Sequence, residues 1–315
     1  MNKKINLLVS IIIPTKNCPD TIERAVLSVL NQTYENVECI IVDYQEENTH
    51  TFDAIKELLR YDHRLKYIKS PIANLGHQRN LGVLNASGEY IVFLDGDDAL
   101  NSKYVEIMIA ELIASKCDIV CCSYRKLDCF GNKIEEKTYL KDGIYSSLQI
   151  LKMLYGHSHS TLCLCTCKLA KKSLYQNIPI NEEILNEDEA TTYRHFASVN
   201  FVKIVNLNLY DYYTGNPTSL SNSHLKNLDV QVKGLLTVFL DRYLLFKKNK
   251  NRRLIWLSYF EMENMSLSYA FVFKNKNLSM KKTCLNFYKD NFKFYMFLVH
   301  PFAFVKIILK YFRAK

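Results

Sequence analysis

The chain has no pair of Cys-x-x-Cys knuckles at zinc spacing, so its ten cysteines do not form a recognisable zinc framework. It does not need a disulfide scaffold either. At 315 residues, 48% hydrophobic and 23% charged, it is long and apolar enough for a sizeable buried core, and a reducing cytoplasm suits its thiols best. There is no repeat and no low-complexity segment. No glycine-rich phosphate loop follows the first apolar run, which continues as "PTKNCPD", and this argues against a nucleotidyltransferase. The amino terminus, "MNKKINLLVSIIIPTKN", imitates a secretion signal but lacks an A-x-A cleavage pattern, and Pro14 and Lys16 close the apolar run. It reads as a buried parallel strand rich in Val and Ile.

Charge is short in one half and concentrated in the other. From Asp241 onward there are 16 Lys+Arg against 4 Asp+Glu, so the first 240 residues hold 25 against 28 of the chain's 41 and 32. A nucleic-acid binder would carry its basic residues on the folded platform, but here they sit in an aromatic tail. No nucleic-acid partner is expected. Cys163, Cys165 and Cys167 alternate along "CLCTCK"; on a strand all three would face one way, as small side chains against a core rather than as metal ligands.

The remaining pattern alternates strand and helix. "LVSIII", "VECIIVD", "LKYIKS" and "EYIVFLD" read as strands, separated by helices over "PDTIERAVLSVLNQT", "TFDAIKELLRYD" and "NLGHQRNLGVLNASG". Asp20 with Glu23 has the spacing of a capping box. The implied fold is α/β: an open, mostly parallel sheet with helices on both faces, followed by a mainly helical C-terminal extension. Such sheets bind ligands beyond the carboxyl ends of their strands, where "PTKN", "DYQEEN" and "DGDD" lie. A boundary is expected near residues 225 to 250, where "KKNKNRR" marks the change in charge.

Two acidic groups carry the candidate chemistry. Asp95 and Asp97, in "LDGDDAL" at the end of the fourth strand, are hard oxygen ligands in a D-x-D arrangement suited to Mn²⁺ or Mg²⁺. A divalent ion held by so few carboxylates completes its shell with waters and phosphates, which points to a nucleotide or sugar-phosphate substrate. Asp98 reads equally as a helix cap or a ligand. Far downstream, Glu187 and Asp188 in "NEDEATTY" open a helix, where acids also favour the helix dipole. Beside a metal-diphosphate site, one of them becomes a candidate base for an acceptor hydroxyl.

"VSIIIPTKN", "LNQTYENVECIIVD", "NLGHQRNLGVLNASGEYIVFLDGDDAL", "CKLAKKSL" and "NEDEATTY" follow one another in an order that resembles the family-2 inverting glycosyltransferases of bacteria, which have a GT-A nucleotide-sugar fold. The resemblance spans roughly residues 7 to 220. It implies a nucleotide-sugar donor, most simply a UDP-sugar, and inversion at the anomeric carbon by one displacement. It places the metal on Asp97, with Asp95 against the donor or metal shell, the catalytic base on Asp188, and Glu187 beside it. Arg79 and Asn80 match the pair near the donor diphosphate, and Pro14, Thr15, Lys16, Asn17, Asp43 and Tyr44 line the nucleotide end. The chain departs from the family at two of these positions. Tyr44 stands where a base-contacting aspartate is common, and Lys16 where a tyrosine is common. The Q-x-x-R-W motif of processive synthases is missing, so one sugar per binding event is expected.

The resemblance also sets the domain reading. Residues 1–225 form the transferase domain, with 1–100 as its nucleotide-sugar half and 101–225 as its acceptor half, and 226–315 form a basic, aromatic-rich helical region. The terminal "FKFYMFLVHPFAFVKIILKYFRAK" is interrupted by His300-Pro301, Lys306 and Lys310, so it suits an amphipathic helix on an anionic membrane surface better than a span. A cytoplasmic enzyme, peripheral on the cell membrane and meeting a glycan or lipid-linked acceptor for lipopolysaccharide or capsule, is the expectation. The alternative is a nucleotide-sugar-binding subunit without turnover. His157 and His159, in "GHSHS", are candidates for an acceptor loop.

Overall fold

The computed structural model describes residues 6–45, 50–136, 140–215, 228–273, 277–292 and 309–312. They fall into two compact units, Met1–Glu183 with Glu187–Ser223, and Ile184–Asn186 with His224–Lys315.

The first unit is built on one sheet. Strands β1 (Val9–Lys16), β2 (Val37–Tyr44), β3 (Leu65–Lys69) and β4 (Tyr90–Phe93) pair in parallel in the order β3-β2-β1-β4. The first two are buried along almost their whole length, as Val/Ile-rich strands covered on both faces must be. Helix α1 (Pro19–Leu30) buries Ile22, Ala25, Val26 and Val29, the positions its helical period selects. Its N-cap is Cys18, not Asp20: Pro19 opens the helix, where a missing N–H costs nothing, and Asp20 falls in the first turn. Helix α2 (Thr51–Tyr61) precedes β3, and α3 (Leu75–Asn85) precedes β4. On α3, a Cβ at Gly82 would lie 2.3 Å from Ile12 Cγ2, so only glycine lets the helix press this closely on β1.

Beyond β4 the sheet becomes mixed. A short β5 (Ala99–Leu100) leads to helix α4 (Tyr104–Ser115), then β6 (Ile119–Leu127), β7 (Lys133–Glu136) and β8 (Gly143–Ser146). Helices α5 (Ser147–Met153) and α6 (His159–Cys163) are followed by β9 (Lys168–Lys171), α7 (Lys172–Asn177), α8 (Glu187–Ser198) and β10 (Phe201–Tyr213). β9 lies between β4 and β6, antiparallel to both, while β6 and β10 are parallel. "CLCTCK" does not run as one strand. Cys163 ends α6, and Cys165 and Cys167 lie in the turn into β9, where Cys167 adopts a left-handed φ of 58° that breaks extension. All three are buried, as expected, but not as one face of a strand.

The second unit comprises α9 (Leu228–Lys248), α10 (Arg252–Val272) and α11 (Leu278–Asn291). Leu235, Phe239, Tyr243, Tyr259, Met262 and Tyr288 share one of its cores. No described helix is long and apolar enough to cross a membrane. Residues 293–308 and 313–315, which make up most of the tail read as membrane-binding, lie outside the described residues. Within the stretch that is described, Tyr311 stacks on Tyr288 with ring centres 5.4 Å apart.

Candidate active site

The carboxyl ends of β1, β2 and β4 converge, and α3 ties them together. Gln78, buried on α3, donates from Nε2 to the Thr15 carbonyl at 2.6 Å and to the Val42 carbonyl at 2.9 Å. It thereby holds the ends of β1 and β2 in register, with Pro14 opposite Val42, Thr15 opposite Asp43 and Lys16 opposite Tyr44. Sequence reasoning missed Gln78, although it adjoins Arg79 in "HQRN". Asn17 turns the chain off β1 with φ 52°, a conformation that asparagine tolerates. Asp43 is fully buried; burial raises its carboxyl above the usual range, and the Tyr67 hydroxyl donates to it at 2.7 Å. Lys16 Nζ lies 5.4 Å from the centre of the Tyr44 ring, so the two departures from the family pattern meet in one cation–π contact.

The "DGDD" turn follows β4 and is held from three sides. A Cβ at Gly96 would stand 3.0 Å from Thr15 Oγ1 and 3.1 Å from Cys18 Sγ, so glycine permits the close approach to the β1 end. The Thr21 hydroxyl donates to the Gly96 carbonyl at 3.0 Å. Arg24 donates to the Asp97 carbonyl and stacks on Tyr213, with 3.6 Å between the guanidinium carbon and the ring centre. Asp98 is not a helix cap. Its buried carboxylate accepts from the Tyr210 hydroxyl at 2.6 Å and the Tyr213 N–H at 2.8 Å, and α4 begins several residues later after Lys103. Burial and the neighbouring Asp95 and Asp97 push the Asp98 acid well above its usual range.

Arg79 joins the two acidic groups. Only 1% exposed, it donates from Nη2 to Asp95 Oδ1 at 3.1 Å, and from Nη1 to Glu187 Oε1 at 2.5 Å and Asp188 Oδ1 at 3.2 Å. Burial drives the Asp95 acid up to about 6 and Glu187 up to about 7, with Arg79 pulling both the other way. One guanidinium thus faces three carboxylates, and the half-buried Asp97 lies two residues from Asp95. The shortfall of positive charge is about that of one divalent cation.

The approach to α8 is clamped by α3. Asn80 donates from Nδ2 to the Ile180 carbonyl at 2.8 Å and to Glu182 Oε1 at 2.7 Å, and its own oxygen accepts from the Ile180 N–H at 2.9 Å. Its side chain is therefore spent on the 180–182 segment. Asn74 donates to the Glu182 carbonyl at 2.7 Å. A Cβ at Gly76 would lie 2.1 Å from the Asn181 carbonyl oxygen, so the segment crosses α3 where only glycine fits. These contacts fix where the first turn of α8 presents Glu187 and Asp188.

Paired carboxylates thus stand at the carboxyl edge of an open α/β sheet, where such sheets bind their ligands. The Glycosyl transferase family 2 profile matches residues 10–178, more than half of the chain, and the chain belongs to that family. It is 26% identical over 213 residues to the glycosyltransferase GlyA of Streptococcus pneumoniae, matching 65% of this chain but 30% of the relative. With GlyG of the same organism it shares 24% identity over 212 residues, covering 65% of this chain and 70% of the relative. The chain thus spans less than a third of the GlyA length. Among solved structures, Staphylococcus aureus TarS residues 1–349 in complex with UDP-GlcNAc superposes with a TM-score of 0.73 over 96% of this chain and 89% of that one, at 17% identity, a likeness of fold.

Proposed function

We propose that this chain transfers a single sugar from a nucleotide-sugar donor, with UDP as its nucleotide, to a hydroxyl of a glycan or lipid-linked acceptor, with inversion. The observation that carries this reading is the Arg79 bridge, which places Asp95 of the strand-end turn and Glu187 and Asp188 of α8 within one hydrogen-bonded cluster. A diphosphate beside Asp95 and an acceptor beside Asp188 would then be neighbours. The TarS structures with UDP-GlcNAc and UDP support a uridine donor.

Asp97 and Asp95 fit a divalent cation, Mn²⁺ or Mg²⁺. Both offer oxygen at the turn, and the site lacks about two positive charges. Bound there, such an ion offsets the charge that develops on the departing diphosphate. Arg79 orients the Asp188 carboxylate through Nη1. Asp188 takes the proton of the acceptor hydroxyl as that oxygen bonds to the anomeric carbon. The bond from that carbon to the diphosphate oxygen breaks, its electron pair leaves with the nucleoside diphosphate, and the carbon inverts. Glu187 shares the guanidinium and sets its position. Lys16 and Tyr44 form the wall for the nucleobase, with Tyr44 as the stacking face, and buried Asp43 supports that wall from behind. The surface-glycan pathway, and the use of the basic tail to meet an anionic membrane from the cytoplasmic side, belong to the same proposal.

The test is thermal stabilisation by UDP, other nucleoside diphosphates and nucleotide sugars, in Mn²⁺ and in EDTA, with donor turnover measured for the wild type and Asp188→Asn. A shift with uridine nucleotides that EDTA abolishes, with turnover lost in Asp188→Asn, is expected. A folded protein with no shift for any nucleotide would sink the reading. A shift without turnover of any donor, even to water, would favour the non-catalytic binding subunit.

A further inference from the structure

His159, Cys163 and Glu189 take no part in the steps above. Read along the sequence, Cys163 groups with Cys165 and Cys167 and His159 with a loop, but the fold sets His159 and Cys163 together on α6. Cys163 closes α6 four residues after His159, a spacing that sets imidazole and thiol on one face. Helix α6 packs on α8, and the first turn of α8 brings Glu189 to that face. His159 Nε2 stands 2.8 Å from Glu189 Oε1. The imidazole nitrogen, the sulfur and the carboxylate oxygen all lie within 4.8 Å of one another. A second bond anchors the cysteine to α8, from the Thr192 hydroxyl to the Cys163 carbonyl at 2.7 Å.

We propose that His159, Cys163 and Glu189 bind a Zn²⁺ ion, at a site chemically distinct from the all-oxygen Asp97 and Asp95 pair. Zinc bonds sulfur at about 2.3 Å and nitrogen or oxygen at about 2.0–2.2 Å, so tetrahedral ligand atoms lie about 3.3–3.6 Å apart. From 2.8 Å the imidazole and carboxylate would part by roughly 0.5 Å, and no pair within the 4.8 Å limit would have to close by more than about 1.5 Å. Thiolate with imidazole selects zinc, whereas Mn²⁺ and Mg²⁺ prefer shells made of oxygen alone. Cys163 is 6% exposed and not in a disulfide, while the His159 side chain is 35% exposed. The sulfur is therefore shielded, and the imidazole side gives the ion an entry and a fourth position for water. An ion bound there ties α6 to the turn of α8 that carries Asp188, but the binding itself does not depend on the role given to Asp188.

The experiment uses the full chain without a histidine tag, stripped with EDTA and dialysed. Zn²⁺ is titrated in competition with a chromophoric chelator, and Co²⁺ is added to a parallel sample. One equivalent of zinc is expected, at least tenfold weaker in Cys163→Ser and His159→Ala and unchanged in Asp97→Ala. With Co²⁺, the wild type should show a thiolate-to-metal charge-transfer band in the near ultraviolet that Cys163→Ser lacks and Glu189→Gln weakens. A wild type without that band overturns the proposal whatever the variants do. So does a band retained in Cys163→Ser, which would assign the sulfur elsewhere. Zinc binding lost in Asp97→Ala would place the ion in the carboxylate site and equally overturn it.

Discussion

The Tyr210 hydroxyl donates to the Asp98 carboxylate at 2.6 Å and accepts from the Asp95 N–H at 3.2 Å. One phenol on β10 therefore fixes both ends of the turn that carries Asp97. Tyr210→Phe leaves the buried Asp98 short of a donor, which costs about 1–3 kcal/mol. A lower melting temperature is expected, together with weaker Mn²⁺-dependent nucleotide binding. Both are measured by thermal denaturation with and without UDP. Equal melting of variant and wild type in both conditions would show that the turn does not rely on this phenol.

Removing the guanidinium of Arg79 strands three carboxylates in one pocket. Arg79→Gln should destabilise the fold by about 3–5 kcal/mol, the usual cost of breaking a buried ionic cluster. Arg79→Lys restores the charge but cannot reach both acidic groups with a planar fork. It should keep more stability than Arg79→Gln while still losing most turnover. Urea denaturation and donor turnover on the two variants check this, and a fully active lysine variant would refute the bridging role.

Burial raises the Glu187 acid from 4.5 to about 7, so the folded state binds a proton more tightly than the unfolded state does. Glu187 therefore opposes folding once ionised. That penalty is full above about pH 7 and disappears as the pH falls toward 4.5. Buried His195, lowered to about 4, works in the opposite sense, so the wild type alone does not isolate the effect. Comparison with Glu187→Gln does. The glutamine variant should gain stability over the wild type at pH 8, on the order of 1–3 kcal/mol, and the gain should shrink below about pH 7 and be gone by about pH 4. A difference that does not change with pH would mean that Glu187 titrates normally.

Gly76 leaves no space for a side chain, because a Cβ at that position would stand 2.1 Å from the Asn181 carbonyl oxygen. Gly76→Ala must push the 180–182 segment away from α3, at a cost of about 1–3 kcal/mol. Because that segment leads into α8, turnover should fall more than nucleotide binding. Initial rates set against UDP-induced thermal shifts separate the two effects.

Asp97→Ala should fold like the wild type, since its side chain is half-buried, and should lose the Mn²⁺ dependence of nucleotide binding. Calorimetric titration with UDP in Mn²⁺ and in EDTA reads this directly. A wild-type difference between the two conditions would remove Asp97 from the metal site.

The local signals were legible because they are local. Runs of Val and Ile in β1 and β2 mark strands covered on both faces, and the spacing of Ile22, Ala25, Val26 and Val29 marks a helix face. Their alternation dictated a sheet whose carboxyl edge holds "DGDD". Other features depend on which distant segments become neighbours, and no local period encodes that. The antiparallel insertion of β9 was invisible for this reason, and so was the placing of Cys163 with His159 on α6. The same holds for the polar contacts: Gln78 across two strand ends, Asn80 on the Ile180 backbone, Tyr210 on Asp98, and His159 beside Glu189. Residue types and order sufficed to name two acidic groups. Sheet order and the packing of α3 brought them onto one arginine, because a buried charge is stable only where the fold delivers its partners.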